Sequence, residues 1–238
     1  MVALNKNTTK TELVKYSFYL TYAFLLTTGT ITFIESMRTS IPKVRHILNL
    51  ETCISVVAAF FYSQFMERIK KSKNGIDYKK INVNRYTDWA ITTPIMLLVL
   101  VLAILYNKGG SLNFFDFLLI LAFNYLMLGA GYLGEIGVIS KKKGVVIGFL
   151  GFILLYGFIY VKYMSGKAIF DNQMIYWAFV ILWAIYGLIY ESEDEKRNIG
   201  YNILDLFICH YIPQKLVTPS QINLIPKSHA TGPATAAT

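Results

Sequence analysis

The chain has 238 residues, of which 55% are hydrophobic and only 16% charged, whereas about 25% of an ordinary soluble domain is charged. With a mean hydropathy of +0.45, this composition excludes a typical soluble fold, and several stretches reach the roughly 20 apolar residues that a membrane helix needs. The formal net charge of +9 falls in short loops, so the lipid bilayer with its anionic headgroups is the expected partner and nucleic acid is not.

In chain order, residues 1–12 read as a polar N-terminal segment with Lys6 and Lys10 and no cleavable apolar core ahead of the first span. Apolar stretches bounded by charge or turn residues then run over Leu13–Met37, His46–Met66, Tyr86–Tyr106, Phe114–Gly137, Val145–Met164, Met174–Tyr190 and Ile199–Ile212, predicting seven helices. Short connections force consecutive helices to lie antiparallel in one bundle. After Ile208 the apolar character fades, and Pro213 predicts a helix end. Residues 13–212 therefore read as the membrane domain and 213–238 as a disordered tail. A last helix of about 14 residues would measure roughly 21 Å, short of a core of about 30 Å. The expectation is an integral, multi-pass, all-α membrane protein: a seven-transmembrane-helix bundle with an incomplete seventh helix. Cys53 and Cys209 both lie in apolar segments, which points to neither a disulfide framework nor a thiolate metal site.

Ionisable residues inside spans are functional candidates by default, and here they are Glu35, Glu51, Asp88, Glu135 and Asp205, with Arg85 close by. No nucleophile and base stand together, so an enzyme is not expected. Seven spans without an internal repeat disfavour an inverted-repeat transporter. Arg85, Asp88, Trp89 and Thr92 share one helical stripe by their spacing. Two readings of that stripe stay open: it holds a buried positive charge near Asp88 with Arg85 tuning the carboxylate, or Arg85 is packed in a structural ion pair with an acid at the membrane edge.

The run Arg85-Tyr86-Thr87-Asp88-Trp89-Ala90-Ile91-Thr92-Thr93-Pro94 resembles the third-helix signature of microbial (type 1) rhodopsins. Leu182-Trp183-Ala184-Ile185-Tyr186 is similar to their sixth-helix segment, with Gly187 where the family often has proline. Met127, Gly129 and Gly131 resemble the fourth-helix pocket floor, Tyr62 the second-helix tyrosine, and Tyr201-Asn202-Ile203-Leu204-Asp205 the start of the seventh-helix motif. The patterns around Thr27–Glu35 and Asn49–Thr52 look most like the rhodopsins of giant viruses of marine algae.

The resemblance implies a retinal cofactor between two carboxylates: Asp88 as counterion and proton acceptor, Asp205 as its partner, with Arg85, Thr92 and Tyr62 tuning them. Trp89, Thr93, Met127, Gly131, Trp183 and Tyr186 would form the retinal pocket. Val99 stands where the family's proton pumps commonly place an internal donor, which favours a light-gated cation channel over a fast pump. The alternatives are a proton pump, a sensor or a non-photoactive scaffold. Glu35 and Glu51 read either as a gate that attracts cations or as carboxylates snorkelling to the interface. Small cations or protons are the implied partners, and homo-oligomers are common in the family.

One departure lies at the chemical centre. The family's retinal lysine follows the seventh-helix aspartate by four residues, and four after Asp205 stands Cys209, which cannot form an imine. Lys215 is a poor substitute, on another face and about 9 Å further along a continued helix. A frameshifted or truncated gene and a retinal-free descendant both fit the pattern. Loop charge adds a conflict: the family's outside N-terminus leaves six basic residues in the inner loops (Arg38, Lys43, Arg45, Lys108, Lys162, Lys167) against eleven in the outer ones, Arg197 among them, the reverse of the positive-inside rule.

Overall fold

Seven helices account for nearly all of the described chain. The computed structural model describes residues 2–72, 75–166 and 168–222, and side chains between 11 and 208 within those ranges. The helices are α1 (Val2–Arg38), α2 (Pro42–Lys71), α3 (Tyr78–Lys108), α4 (Phe114–Glu135), α5 (Lys141–Ile159), α6 (Phe170–Ile189) and α7 (Asp194–Ile222). One π-helical turn, Tyr160–Met164, finishes α5. Each helix packs on the next, α7 returns to α1 to close the ring, and α3 also meets α6 and α7 across the middle.

Local chemistry sets the helix ends. Asp77, Asn113 and Ser140 accept from backbone N–H groups at the starts of α3, α4 and α5, satisfying donors that have no intrahelical partner. Gly109 ends α3 at φ 71°, a left-handed conformation that a side chain would strain. Lys108 Nζ donates to the carbonyls of Tyr163 and Ser165, at 2.8 and 2.7 Å, and so ties the end of α3 to the π turn. Pro94 lies inside α3 and has no N–H for the carbonyl of Ala90. The Tyr125 hydroxyl on α4 donates to that carbonyl instead, at 3.0 Å.

Helices α1 to α6 are long and apolar enough to cross a membrane. Their outward faces expose Leu20, Phe24, Ile31, Val56, Phe60, Leu118, Ile153 and Ile181, a surface suited to lipid rather than water. The chain is an integral, multi-pass membrane protein. Inside, α4 and α5 approach on glycine: a Cβ at Gly144 would stand 2.9 Å from the Ala130 carbonyl oxygen, and one at Gly151 2.9 Å from the Met127 nitrogen. Small residues allow such contacts where no hydrophobic effect drives helices together.

Three expectations are corrected. The seventh helix is not incomplete: α7 has 29 residues, about 43 Å at 1.5 Å per residue, and continues through Pro213. A proline inside a helix removes one backbone hydrogen bond. The predicted tail boundary at 213 moves with it, since 213–222 are helical; the rest of that tail, 223–238, lies outside the described residues. At the other end the polar segment is helical from Val2. Finally, α2 begins at Pro42 rather than at His46, so Glu51 sits about two and a half turns inside it.

Candidate functional site

A cavity of about 1020 Å³, its mouth included, crosses the bundle from α2 and α7 to α4 and α5. Trp89, Thr93, Met127, Gly131, Trp183 and Tyr186, the six residues expected to form a pocket, all line it, together with Asp88, Thr92 and Asp205. Trp89 stands edge-on to Tyr186 and Tyr201, with centroids 5.7 and 5.1 Å away. Trp183 stacks on Phe179 at 5.0 Å. Gly131 keeps one wall flat, because a Cβ there would meet the Tyr86 hydroxyl at 2.6 Å. Met96, Phe149 and Phe152 extend the apolar lining.

The two carboxylates differ in their partners. Asp205 is held by the hydroxyls of Tyr62 and Tyr186, which donate to Oδ2 and Oδ1 respectively, and Arg85 Nη1 lies 3.4 Å from Oδ2. Asp88 is 3% exposed, and its Oδ1 has no hydrogen-bond partner among the described residues. Thr92, expected to partner that carboxylate, donates to the main-chain carbonyl of Asp88 at 2.9 Å, the usual back-bond of a helical threonine, and its hydroxyl also lies beside the carboxyl group.

Arg85 forms its ion pair with Asp205, one of the cavity's two carboxylates. It also donates to Asn198 at 3.3 Å, to the Tyr62 hydroxyl at 3.2 Å and to Asn202. The rings of Phe18, Tyr62, Phe65 and Tyr201 surround the guanidinium at 5.2 to 5.6 Å, which offsets part of the cost of burying it.

A polar chain missed in the sequence continues from Arg85 towards the start of α7. Asn198 donates to Asn82 at 3.0 Å, and Asn82 donates to Glu135 and Asp194, both at 3.2 Å. Arg197 closes the cluster against Glu135 and Asp194. It is therefore a buried ion-pair member and leaves the tally of loop cations. The Tyr190 hydroxyl donates to the Gly131 carbonyl at 2.8 Å, and burial pushes that phenol up to about 12, which keeps it a donor. Glu35 pairs with Arg38 at 3.1 Å, while Glu51 is buried on α2; no hydrogen bond or ion pair joins the two among the described residues. Val99 is fully buried in the apolar core.

The model of the bacteriorhodopsin-like proteins matches residues 12–209. The chain belongs to this family. The crystal structure of a viral rhodopsin, OLPVRII, is 54% identical and covers 88% of this chain and 99% of its own, with a TM-score of 0.81. A green-light absorbing proteorhodopsin from gamma-proteobacterium EBAC31A08 is 28% identical over 210 residues, 79% of each chain. A blue-light absorbing proteorhodopsin from gamma-proteobacterium Hot 75m4 is 28% identical over 216 residues, 82% of this chain and 80% of its own. The bundle is thus a microbial rhodopsin fold, and the family's chromophore is retinal.

This rhodopsin's cavity fits the polyene of retinal better than it fits the attachment. The walls are aromatic and apolar along their length, and a carboxylate pair stands at one end. Among the described residues no lysine lines the cavity. Position 209, one turn past Asp205 on α7, is cysteine, and its side chain lies outside the described residues, as does that of Lys215.

Proposed function

We propose that this rhodopsin has the architecture of a light-gated cation channel, with retinal held in the cavity by packing rather than by an imine. The supporting observation is a polar seam on the buried face of α1. Ser17 accepts from Asn202 at 2.8 Å and Thr21 donates to the Asn202 carbonyl at 3.1 Å. Thr28, Thr32 and Ser36 follow, all buried, and Thr32 bonds to Thr52 of α2 at 2.9 Å. From Ser17 to Ser36 the seam runs about 28 Å at 1.5 Å per residue, close to the thickness of the hydrocarbon core. Glu51 and Ser55 are buried on the facing helix. Oxygens placed along such a line can replace the hydration shell of a passing cation.

When bound, retinal supplies light absorption and a change of shape. Trp89 and Trp183 flank its place, Met127 and Gly131 form the floor, and Tyr186 couples the cavity to Asp205. Asp205 is bonded in turn to Tyr62 and Arg85, which connect through Asn202 to the inner end of the seam. Val99 offers no proton, which favours passive conduction over pumping.

A second reading, a seven-helix protein without light chemistry, rests on Cys209. Spectroscopy and current recording with all-trans-retinal separate the two. The expected results are bound retinal without a visible band in the wild type, and in Cys209→Lys a visible band, bleached by hydroxylamine, with a light-evoked cation current. A Cys209→Lys pigment that absorbs visible light but passes no current along a sodium gradient overturns the channel reading. Failure of both proteins to bind retinal supports the second.

A further inference from the structure

We propose that Tyr186 is a redox-active tyrosine, joined to the lipid surface by a row of oxidisable rings that carries one electron. The row starts at Trp177 on α6, which is 49% exposed on the outer face, and runs through Tyr176, Tyr156 and Trp183 to Tyr186. Successive ring centroids are 5.3, 6.2, 6.4 and 6.4 Å apart, the spacing of aromatic rings in contact. Trp177 and Tyr186 are separated by about 14 Å along α6 at 1.5 Å per residue. Phenylalanine is as common in this chain as tyrosine, 16 against 17, and Phe179 and Phe152 lie against the row. Yet no member of the row is phenylalanine. Packing treats the two side chains much alike, whereas electron transfer does not, because phenols and indoles give up an electron far more readily than a benzene ring.

A tyrosine retains an electron vacancy where its phenol proton can leave, and the three tyrosines of the row differ in this. The Tyr156 hydroxyl has no hydrogen-bond partner among the described residues. Tyr176 donates to the Tyr156 carbonyl at 2.8 Å, a neutral group and a weak base. Tyr186 donates to Oδ1 of Asp205, a carboxylate. The first two pass the vacancy on, and Tyr186 keeps it, since its proton moves along a hydrogen bond already made. The oxidant is a quinone dissolved in the bilayer. Trp177, excited by light, gives it one electron, and the indole radical cation is refilled through the row from Tyr186. The Tyr186 O–H bond breaks as an O–H bond forms on Asp205. The products are the quinone radical anion, a neutral tyrosyl radical and a neutral Asp205 carboxyl group. Inside the bundle a positive vacancy and a negative charge cancel, which favours the step where isolated charges are costly.

Flash excitation of the indoles tests this on the full chain in nanodiscs loaded with a lipophilic quinone, with radicals followed by transient absorption and electron paramagnetic resonance. In the wild type a tryptophanyl signal is expected first, giving way to a tyrosyl signal. Tyr186→Phe and Tyr156→Phe keep each ring but not its oxidisable hydroxyl, and both should leave the tryptophanyl signal and lose the tyrosyl one. Trp177→Phe should lose both signals, and Tyr163→Phe, off the row, should lose neither. A tryptophanyl signal that never gives way in the wild type, or a tyrosyl signal that survives Tyr186→Phe, overturns the proposal, and one that survives Tyr156→Phe or Trp177→Phe overturns the route. Should the variants fail to fold, the wild type prepared in D2O decides: the tyrosyl signal must rise more slowly than in H2O, and equal rates overturn proton transfer to Asp205.

Discussion

Arg197 and Glu135 face each other as a two-point ion pair, with Nη1 3.0 Å from Oε2 and Nη2 3.1 Å from Oε1, and their side chains are 1% and 5% exposed. The pair locks the start of α7 to the end of α4, two helices that are not neighbours in the ring. Removing one partner leaves a buried charge alone, so Glu135→Gln should destabilise the protein by ~3–5 kcal/mol. The double variant Glu135→Gln with Arg197→Gln should lose clearly less than the sum of the two single changes. Thermal unfolding in detergent of all four proteins measures the cycle, and additive losses would show that the pair is not coupled.

The two tyrosines on Asp205 make unequal contributions. Tyr186 provides one hydroxyl to Oδ1, whereas the Tyr62 hydroxyl donates to Oδ2, lies 2.9 Å from Asn202 Oδ1 and accepts from Arg85. Hydrogen bonds to charged groups contribute ~1.5–3 kcal/mol each. Tyr186→Phe is expected within that range and Tyr62→Phe above it, read from the midpoint of unfolding in SDS. An inverted order would mean that the Arg85 cluster adds nothing at Tyr62.

Glycines on one face of α5 give a steric prediction with its own control. An alanine at Gly151 would press on the Met127 backbone at 2.9 Å, but one at Gly148 would meet its nearest neighbour, the Met127 carbonyl oxygen, at 3.6 Å, an ordinary contact. Gly151→Ala should cost ~1–3 kcal/mol by overpacking. Gly148→Ala should be close to neutral, and equal losses at the two sites would refute the close approach of α4 and α5.

Asp77 caps α3 through Oδ1, which accepts the Lys80 N–H at 3.2 Å. That bond, with smaller help from the Lys80 side chain, holds the carboxyl below its usual 3.8. A lowered folded value means that the contribution is present above the ordinary carboxylate range and is lost as the pH falls through the folded value. Asp77→Ala should therefore unfold at a lower temperature than wild type at pH 7, and the gap should narrow below pH about 4. A gap that stays constant between pH 7 and 3 would assign the effect to something other than the carboxylate.

The cavity was legible in the sequence through the resemblance to microbial rhodopsins, which pointed to Trp89 and Thr93 on α3, Met127 and Gly131 on α4, and Trp183 and Tyr186 on α6; all six line it. Spacing says which residues share a face but not what each atom bonds to. Thr92 therefore also bonds its own backbone beside the Asp88 carboxyl, and Arg85 pairs with Asp205 on a helix over a hundred residues away. Asn82, Asn198 and Arg197 were missed for a related reason. Each looks like an ordinary polar residue near a helix end, and Arg197 sits in a run of charges where every neighbour reads as solvated. Proline at 213 misled in the opposite direction, since α7 continues through it at the loss of one backbone hydrogen bond.

The asparagines have a consequence of their own. Asn82 and Asn198 join the Arg85 cluster to the Arg197 cluster by amide hydrogen bonds alone. A carboxamide does not take up or give off a proton near neutral pH. The line is therefore continuous as a mechanical strut yet insulating to protons: a displacement at Asp205 can be felt at the membrane face near Asp194, but a proton released there must find another route.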